Sequence, residues 1–292
     1  MHKANNIRSK NPRRFYSPRS LSARGWLPNY HGAWAMVSVP ILLGTFAPQQ
    51  GPLKWQQFTL LVFWFLGYFT YFAGTIYLKT HFRRALRPFL SYSTFSIIFG
   101  IFTLWGNWYL LLWIPVFIPL LLISFWATYS HHERSFGNDL VTVIATSLML
   151  PVAFQLGNPQ FTITTFPSIV WISTIAIASY FIGTIFYVKT NIRERNSNIW
   201  LIFSFLFHIF CGGLMWYIAV FIPEFNSVSV SVSVILRWIF ILIWLVITIR
   251  AILVPLYGRI HGYFSAKVIG IGEFTLTLFI FGMLFFILRF SC

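Results

Sequence analysis

Residues 127–139 read ATYSHHERSFGND and join two long apolar runs. The 292-residue chain has only five Asp and Glu residues, and two of them, Glu133 and Asp139, stand here beside His131 and His132. Carboxylates and imidazoles this close can move protons or ligate a cation. On one helix His132, Ser135 or Phe136, and Asp139 would share a face, whereas adjacent histidines point about 100° apart and do not easily reach one metal. The alternative is structural. Gly137 breaks the helix, Asn138 caps the next one, and Asp139 sits in its first turn, where the helix dipole favours a carboxylate. Glu133 then pairs with its neighbour Arg134.

Three other places hold groups capable of chemistry. YFAGTIYLKTHFRR from Tyr71 and YFIGTIFYVKTNIRER from Tyr180 align with one extra residue in the second copy. Their Lys79 and Lys189 can anchor helix ends at lipid headgroups. With Arg83, Arg84 and Arg193 they can instead hold the oxygens of an anionic substrate. Glu273 lies six residues beyond Lys267, about 9 Å into a helix. Arg250 stands at a similar depth in the preceding apolar run, so the two are expected to pair, because an unpaired charge in hydrocarbon is expensive. His208, within an apolar run, reads as an interhelical hydrogen bonder. Cys211 and Cys292 have no metal or redox spacing, and Cys211 reads as a small packing residue.

The elements that position these groups follow from composition. With 58% hydrophobic and 9% charged residues, the chain is no water-soluble globule, where about a quarter of residues are charged. Apolar runs at 33–48, 55–78, 89–105, 108–128, 139–156, 165–188, 199–222, 232–256 and 268–290 can each be read as a helix crossing the bilayer, the first and fifth being short. The runs do not alternate, which disfavours a β-barrel. The expected fold is all-α, a polytopic bundle of about nine helices, with residues 1–30 as a basic polar tail. SVSVSVSV at 227–234 is a low-complexity lead-in to the eighth span.

The formal charge of +16 does not indicate nucleic acid, because the cations sit beside span ends. A cytoplasmic N-terminus places every Lys and Arg on the inner side except Lys54, Arg237 and Arg289, and the positive-inside rule then puts the C-terminus outside. Glu133, Asp139, Glu194, Glu273 and five of the histidines, His31 among them, fall on that same inner side. Acids contribute little to topology, so their one-sidedness suggests a shared polar site. The two motifs place a parallel four-helix repeat at 31–135 and 136–262, with the helix at 268–290 left over.

His31-Gly-Ala-Trp-Ala-Met36 after Pro28-Asn-Tyr30, Glu133-Arg-Ser-Phe-Gly-Asn-Asp139 and Lys189-Thr-Asn-Ile-Arg-Glu-Arg195 resemble the signatures of the YwiC-like family. That resemblance implies a bacterial integral membrane protein and no particular reaction. The nine helices, the repeat and polar motifs after spans two and six also look like the UbiA-type intramembrane prenyltransferases. Asp-rich motifs at those two places bind Mg²⁺ and a prenyl diphosphate in that superfamily. Asn191-Ile-Arg-Glu194 is similar to part of the second motif, but Lys79-Thr-His-Phe-Arg-Arg84 has no carboxylate where the first would stand.

The expected function is therefore an intramembrane enzyme acting on a prenyl or lipid substrate. Glu133, Asp139 and Glu194 would act as acid, base or Mg²⁺ ligands. His31, Lys79, Arg83, Arg84, His132, Arg134, Asn138, Lys189, Asn191, Arg193 and Glu273 would line the site. A permease, with prolines such as Pro40, Pro115, Pro119 and Pro255 breaking its helices, and a non-catalytic assembly subunit are the alternatives. The expected partners are the lipid bilayer and an anionic or lipid-like small molecule.

Overall fold

The computed structural model describes residues 21–22, 24–28, 31–47, 52–81, 83–222 and 230–291. The tail to residue 20, Glu224 and the start of the 227–234 run lie outside the described residues. Among those described, the secondary structure is all helical: α1 (His31–Phe46), α2 (Trp55–Thr80), α3 (Arg83–Leu104), α4 (Ile114–Tyr129), α5 (Phe136–Ser147), α6 (Met149–Gly157), α7 (Ser168–Val188), α8 (Asn198–Phe221), α9 (Val230–His261) and α10 (Ala266–Ser291). A 3₁₀ turn, Trp108–Trp113, leads into α4, where Pro115 in the first turn needs no N–H partner.

Eight helical segments are long and apolar enough to cross a membrane, and α1 is a shorter apolar helix. The protein is thus an all-α, multi-pass membrane bundle. Its surface agrees with that reading: Trp105, Leu122, Trp126, Phe210, Trp238, Leu242, Phe274 and Phe279 are all exposed, where hydrocarbon replaces water as the surrounding medium. The buried core is richest along α1, α6 and α7, where Ile41, Leu43, Leu150, Leu156, Ile169 and Ile177 are almost wholly enclosed.

The expected fifth span is two helices. α5 ends at Ser147 and α6 begins at Met149, and Pro151 supplies the reason. Its ring crowds the carbonyl of Ser147 and it has no N–H to donate there. Next to the break, α1 comes so close to α6 that a Cβ built on Gly44 would lie 2.1 Å from the Leu150 carbonyl oxygen. Small residues that let backbones approach are a principal means of helix association in a bilayer.

Gly44→Ala must push these two helices apart, and we expect it to cost about 1–3 kcal/mol. Gly213→Ala, where a Cβ meets nothing within 4 Å, should be neutral or stabilising. Melting of the two variants in detergent, followed by size-exclusion chromatography, checks this. Equal melting temperatures would contradict the close approach.

Candidate functional site

The acidic segment is held between two lysines. Lys79, in the last turn of α2, reaches Glu133 at 2.8 Å. Lys189, just beyond α7, lies 3.8 Å from Asp139 in the first turn of α5. The lysines that match in the two sequence motifs thus meet the two carboxylates of one short segment. Glu133 takes Lys79 rather than the adjacent Arg134, whose side chain is exposed.

The cap of α5 differs from expectation. Helix geometry starts at Phe136, Ser135 is the cap, and its hydroxyl accepts the Asn138 N–H at 3.2 Å. Gly137 and Asn138 therefore lie inside the first turn. The Asn138 side chain is committed elsewhere: its amide donates to the Glu133 carbonyl at 2.9 Å and its oxygen accepts from Ser124 at 2.7 Å. Since Ser124 donates to Asn138, Tyr71 donates to Ser124, at 2.7 Å. This chain of bonds ties α2, α4 and α5 to the acidic segment.

Lys189 opens a π-helical turn, Lys189–Arg193, in which Lys189, Thr190 and Asn191 are buried. A π turn is what one residue inserted into an α-helix produces, and the second motif carries that extra residue. The Lys189 ammonium stands 4.8 Å over the Trp200 ring and 5.8 Å from the Phe136 ring centre, so aromatic faces and Asp139 replace its water. Asn191 donates to the Tyr187 carbonyl at 2.8 Å. From outside, Arg195 donates to the Asn191 carbonyl at 2.8 Å and Tyr263 donates to the Arg195 carbonyl. Arg259 donates to Asn198 at 2.6 Å, fixing the start of α8.

The expected pair of Arg250 and Glu273 forms across α9 and α10. Thr184 of α7 donates to the same carboxylate at 2.8 Å, and the Arg250 guanidinium lies 4.3 Å over the Tyr187 ring. The His208 side chain bonds within its own helix, to the Ser204 carbonyl at 2.7 Å, while its backbone carbonyl accepts from Thr248 of α9 at 3.2 Å. Its ring fits because its neighbour is Gly183, where a Cβ would lie 2.9 Å from Nε2. Gly74, at the matching place in the first motif, similarly faces Phe89.

Other expected members are not drawn in. Arg83, Arg84, His132, Arg134, Arg193 and Glu194 are exposed, and none of the six forms an ion pair among the described residues. His31 begins α1, but its side chain lies outside the described set. Sequence reasoning missed Trp200, Phe136, Ser124, Tyr71 and Tyr263, and only the extra residue of the second motif hinted at a special turn. The donor set does not suit Mg²⁺, which needs several oxygen ligands. Glu133 and Asp139 face ammonium groups, and no three His, Cys, Asp or Glu side chains cluster among the described residues.

Residues 27–154 match the family model described as YwiC-like protein. Over those residues the chain is similar to the YwiC-like family. The match runs from before α1 into α6 and includes Lys79, Glu133 and Asp139. The Bacillus subtilis (strain 168) protein YwiC is 28% identical over 205 residues, which are 68% of this chain and 82% of that relative. A Haemophilus influenzae protein is 28% identical over 188 residues, 64% of this chain and 75% of its own length. No solved structure matches.

Burial alone would raise the Glu133 carboxyl, but hydrogen bonds from Lys79 and its own backbone, with the charges of Lys79 and Arg134, hold it below the ordinary value of 4.5. A carboxyl depressed in this way stabilises the fold above its unfolded value, and that stability is lost as pH falls through the lower folded value. Glu133→Gln should therefore cost about 0.5–1 kcal/mol at pH 7, a modest figure because the pair is partly exposed. The difference from the parent should vanish well below pH 4.5. Melting curves at both pH values check this, and a difference that persists in acid would contradict the ion pair as its source.

Proposed function

We propose that the protein binds the anionic group of a lipid-like membrane molecule at the end of the bundle where the lysines ending α2 and α7 reach the segment at the start of α5. This is the cytoplasmic end by the distribution of lysine and arginine. The observation that carries the reading is the surplus of positive charge there. Glu133 and Asp139 are each balanced by one lysine. Arg83, Arg84, Arg134 and Arg193 stand exposed in the same connections, outside any ion pair among the described residues. Guanidinium groups bind phosphate and carboxylate oxygens in two-pronged fashion, and the surrounding bilayer supplies amphiphiles whose polar ends sit at this depth.

Within this reading the catalytic role narrows to Asp139. Glu133 is taken by a hydrogen-bonded pair with Lys79, and Glu194 is exposed. Asp139 stands 3.8 Å from Lys189, too far for a hydrogen bond, so its oxygens are free to accept a proton from a bound molecule while the lysine supplies positive charge. Recognition by arginine needs no metal.

The test is the melting temperature of detergent-purified protein in EDTA with an isoprenyl diphosphate, its parent alcohol, or inorganic diphosphate. A ligand that binds only the folded state stabilises it by about 2.7 kcal/mol at a hundred times its Kd. The amphiphilic diphosphate should raise the melting temperature, the alcohol should not, and Arg84→Gln with Arg193→Gln should reduce the shift. No shift with the diphosphate in a well-folded parent would overturn the proposal.

A further inference from the structure

α3 stands apart from the other spans. It is the least apolar of the eight long segments and also the least buried. Hydrocarbon favours the reverse, since polar groups on a span are cheapest when turned toward protein. α3 packs along α2 and against the 3₁₀ turn, and Leu90, Ile97 and Ile101 on its other side are more than half exposed.

The side facing α2 shows how α3 spends hydroxyls where a neighbour is present. Thr103 shares a hydrogen bond with Thr59 of α2 at 2.9 Å, and Ser96 donates to the Phe63 carbonyl at 3.4 Å. On the far side Thr94 is exposed, about 16 Å along the helix from Arg83, and its hydroxyl bonds nothing among the described residues. A threonine facing lipid can return its hydroxyl to its own helix, as Thr275 of α10 does to the Ile271 carbonyl at 3.0 Å. Thr94 does not, and keeps both donor and acceptor unspent at membrane depth.

Thr94 is also part of a stripe. Leu90, Thr94, Ile97 and Ile101 follow one another at intervals of four, three and four residues, and all four are exposed. That is the spacing of a coiled-coil seam. In lipid such seams are held by close packing and by hydroxyls bonding across the helices.

We infer that this stripe is a dimer interface, covered by α3 of a second copy of the chain. Every copy enters the bilayer the same way round. A twofold axis along the membrane normal therefore sets α3 parallel to α3 with like residues facing. The stripe suits itself as partner, because a hydroxyl is at once donor and acceptor, so two Thr94 side chains satisfy each other where two carboxylates or two amines could not. Arg83 and Arg87 lead into the same stripe, and both are exposed at the start of the helix. There lipid phosphates and salt screen like charges, so their repulsion is small beside the contact made deeper in the seam. The interface is independent of anion binding at the charged end.

Cysteine cross-linking in membranes tests the assignment, in a chain carrying Cys211→Ser and Cys292→Ser. With copper phenanthroline as oxidant, Ile97→Cys should give a disulfide-linked dimer at a yield that does not depend on expression level. Phe95→Cys, exposed on the same helix but turned away from the stripe, should stay monomeric. Adding Thr94→Val to Ile97→Cys should lower the dimer yield about threefold, the effect of losing one hydrogen bond between membrane helices, and Thr94→Ser should restore it. Equal yields from the two cysteine positions would overturn the interface. A cross-linked product whose mass is not twice that of the chain would overturn the second copy as its occupant.

Discussion

A charge carried into apolar surroundings must bring its counter-charge with it, and most of what is distinctive here follows. The chain has very few carboxylates, and three of the four within the described residues are spent on cations. Lys189 is buried, Lys79 and Arg250 are largely covered, and each has one acid. Acids are concentrated in the 133–139 segment because the lysines ending α2 and α7 both arrive there. The segment is thereby a clasp between helices distant in sequence, and its Asn138 extends the clasp to α4 through Ser124.

The same economy shapes the functional reading. A metal-bridged diphosphate needs free carboxylates, and Glu133 and Asp139 face ammonium groups. What remains unbalanced at that end is arginine, which recognises an anion directly. Asp139 keeps its lone pairs because its lysine stands beyond hydrogen-bonding range, held by the aromatic faces of Trp200 and Phe136. The π turn that brings Lys189 into this box is secured from outside by Arg195 and Tyr263.

The bundle was legible in the sequence because hydrocarbon leaves the backbone few choices, and most helix ends fell within a few residues of the apolar runs. The Arg250–Glu273 pair was legible for the same reason, since two charges at one depth in neighbouring spans have little else to find. Local signals misled at Asn138. Its type and place suggest a cap, but its side chain is claimed by Ser124 and by a carbonyl of the preceding loop, and no local pattern records that. Adjacency offers Arg134 as one partner for Glu133, whereas the ion pair it forms is with Lys79 on another helix. The break before α6 was written in Pro151, yet a continuous apolar run concealed it.

The central claim is that the pairing of Lys79 with Glu133, as charge and counter-charge, fastens the acidic segment to α2. Exchanging the charges tests it most directly, by melting Lys79→Glu, Glu133→Lys and the double variant in detergent at low ionic strength. Each single exchange sets like charges together and should lower the melting temperature, and the double exchange should recover most of the loss. A double variant that melts as low as the two single losses add up to would contradict the account.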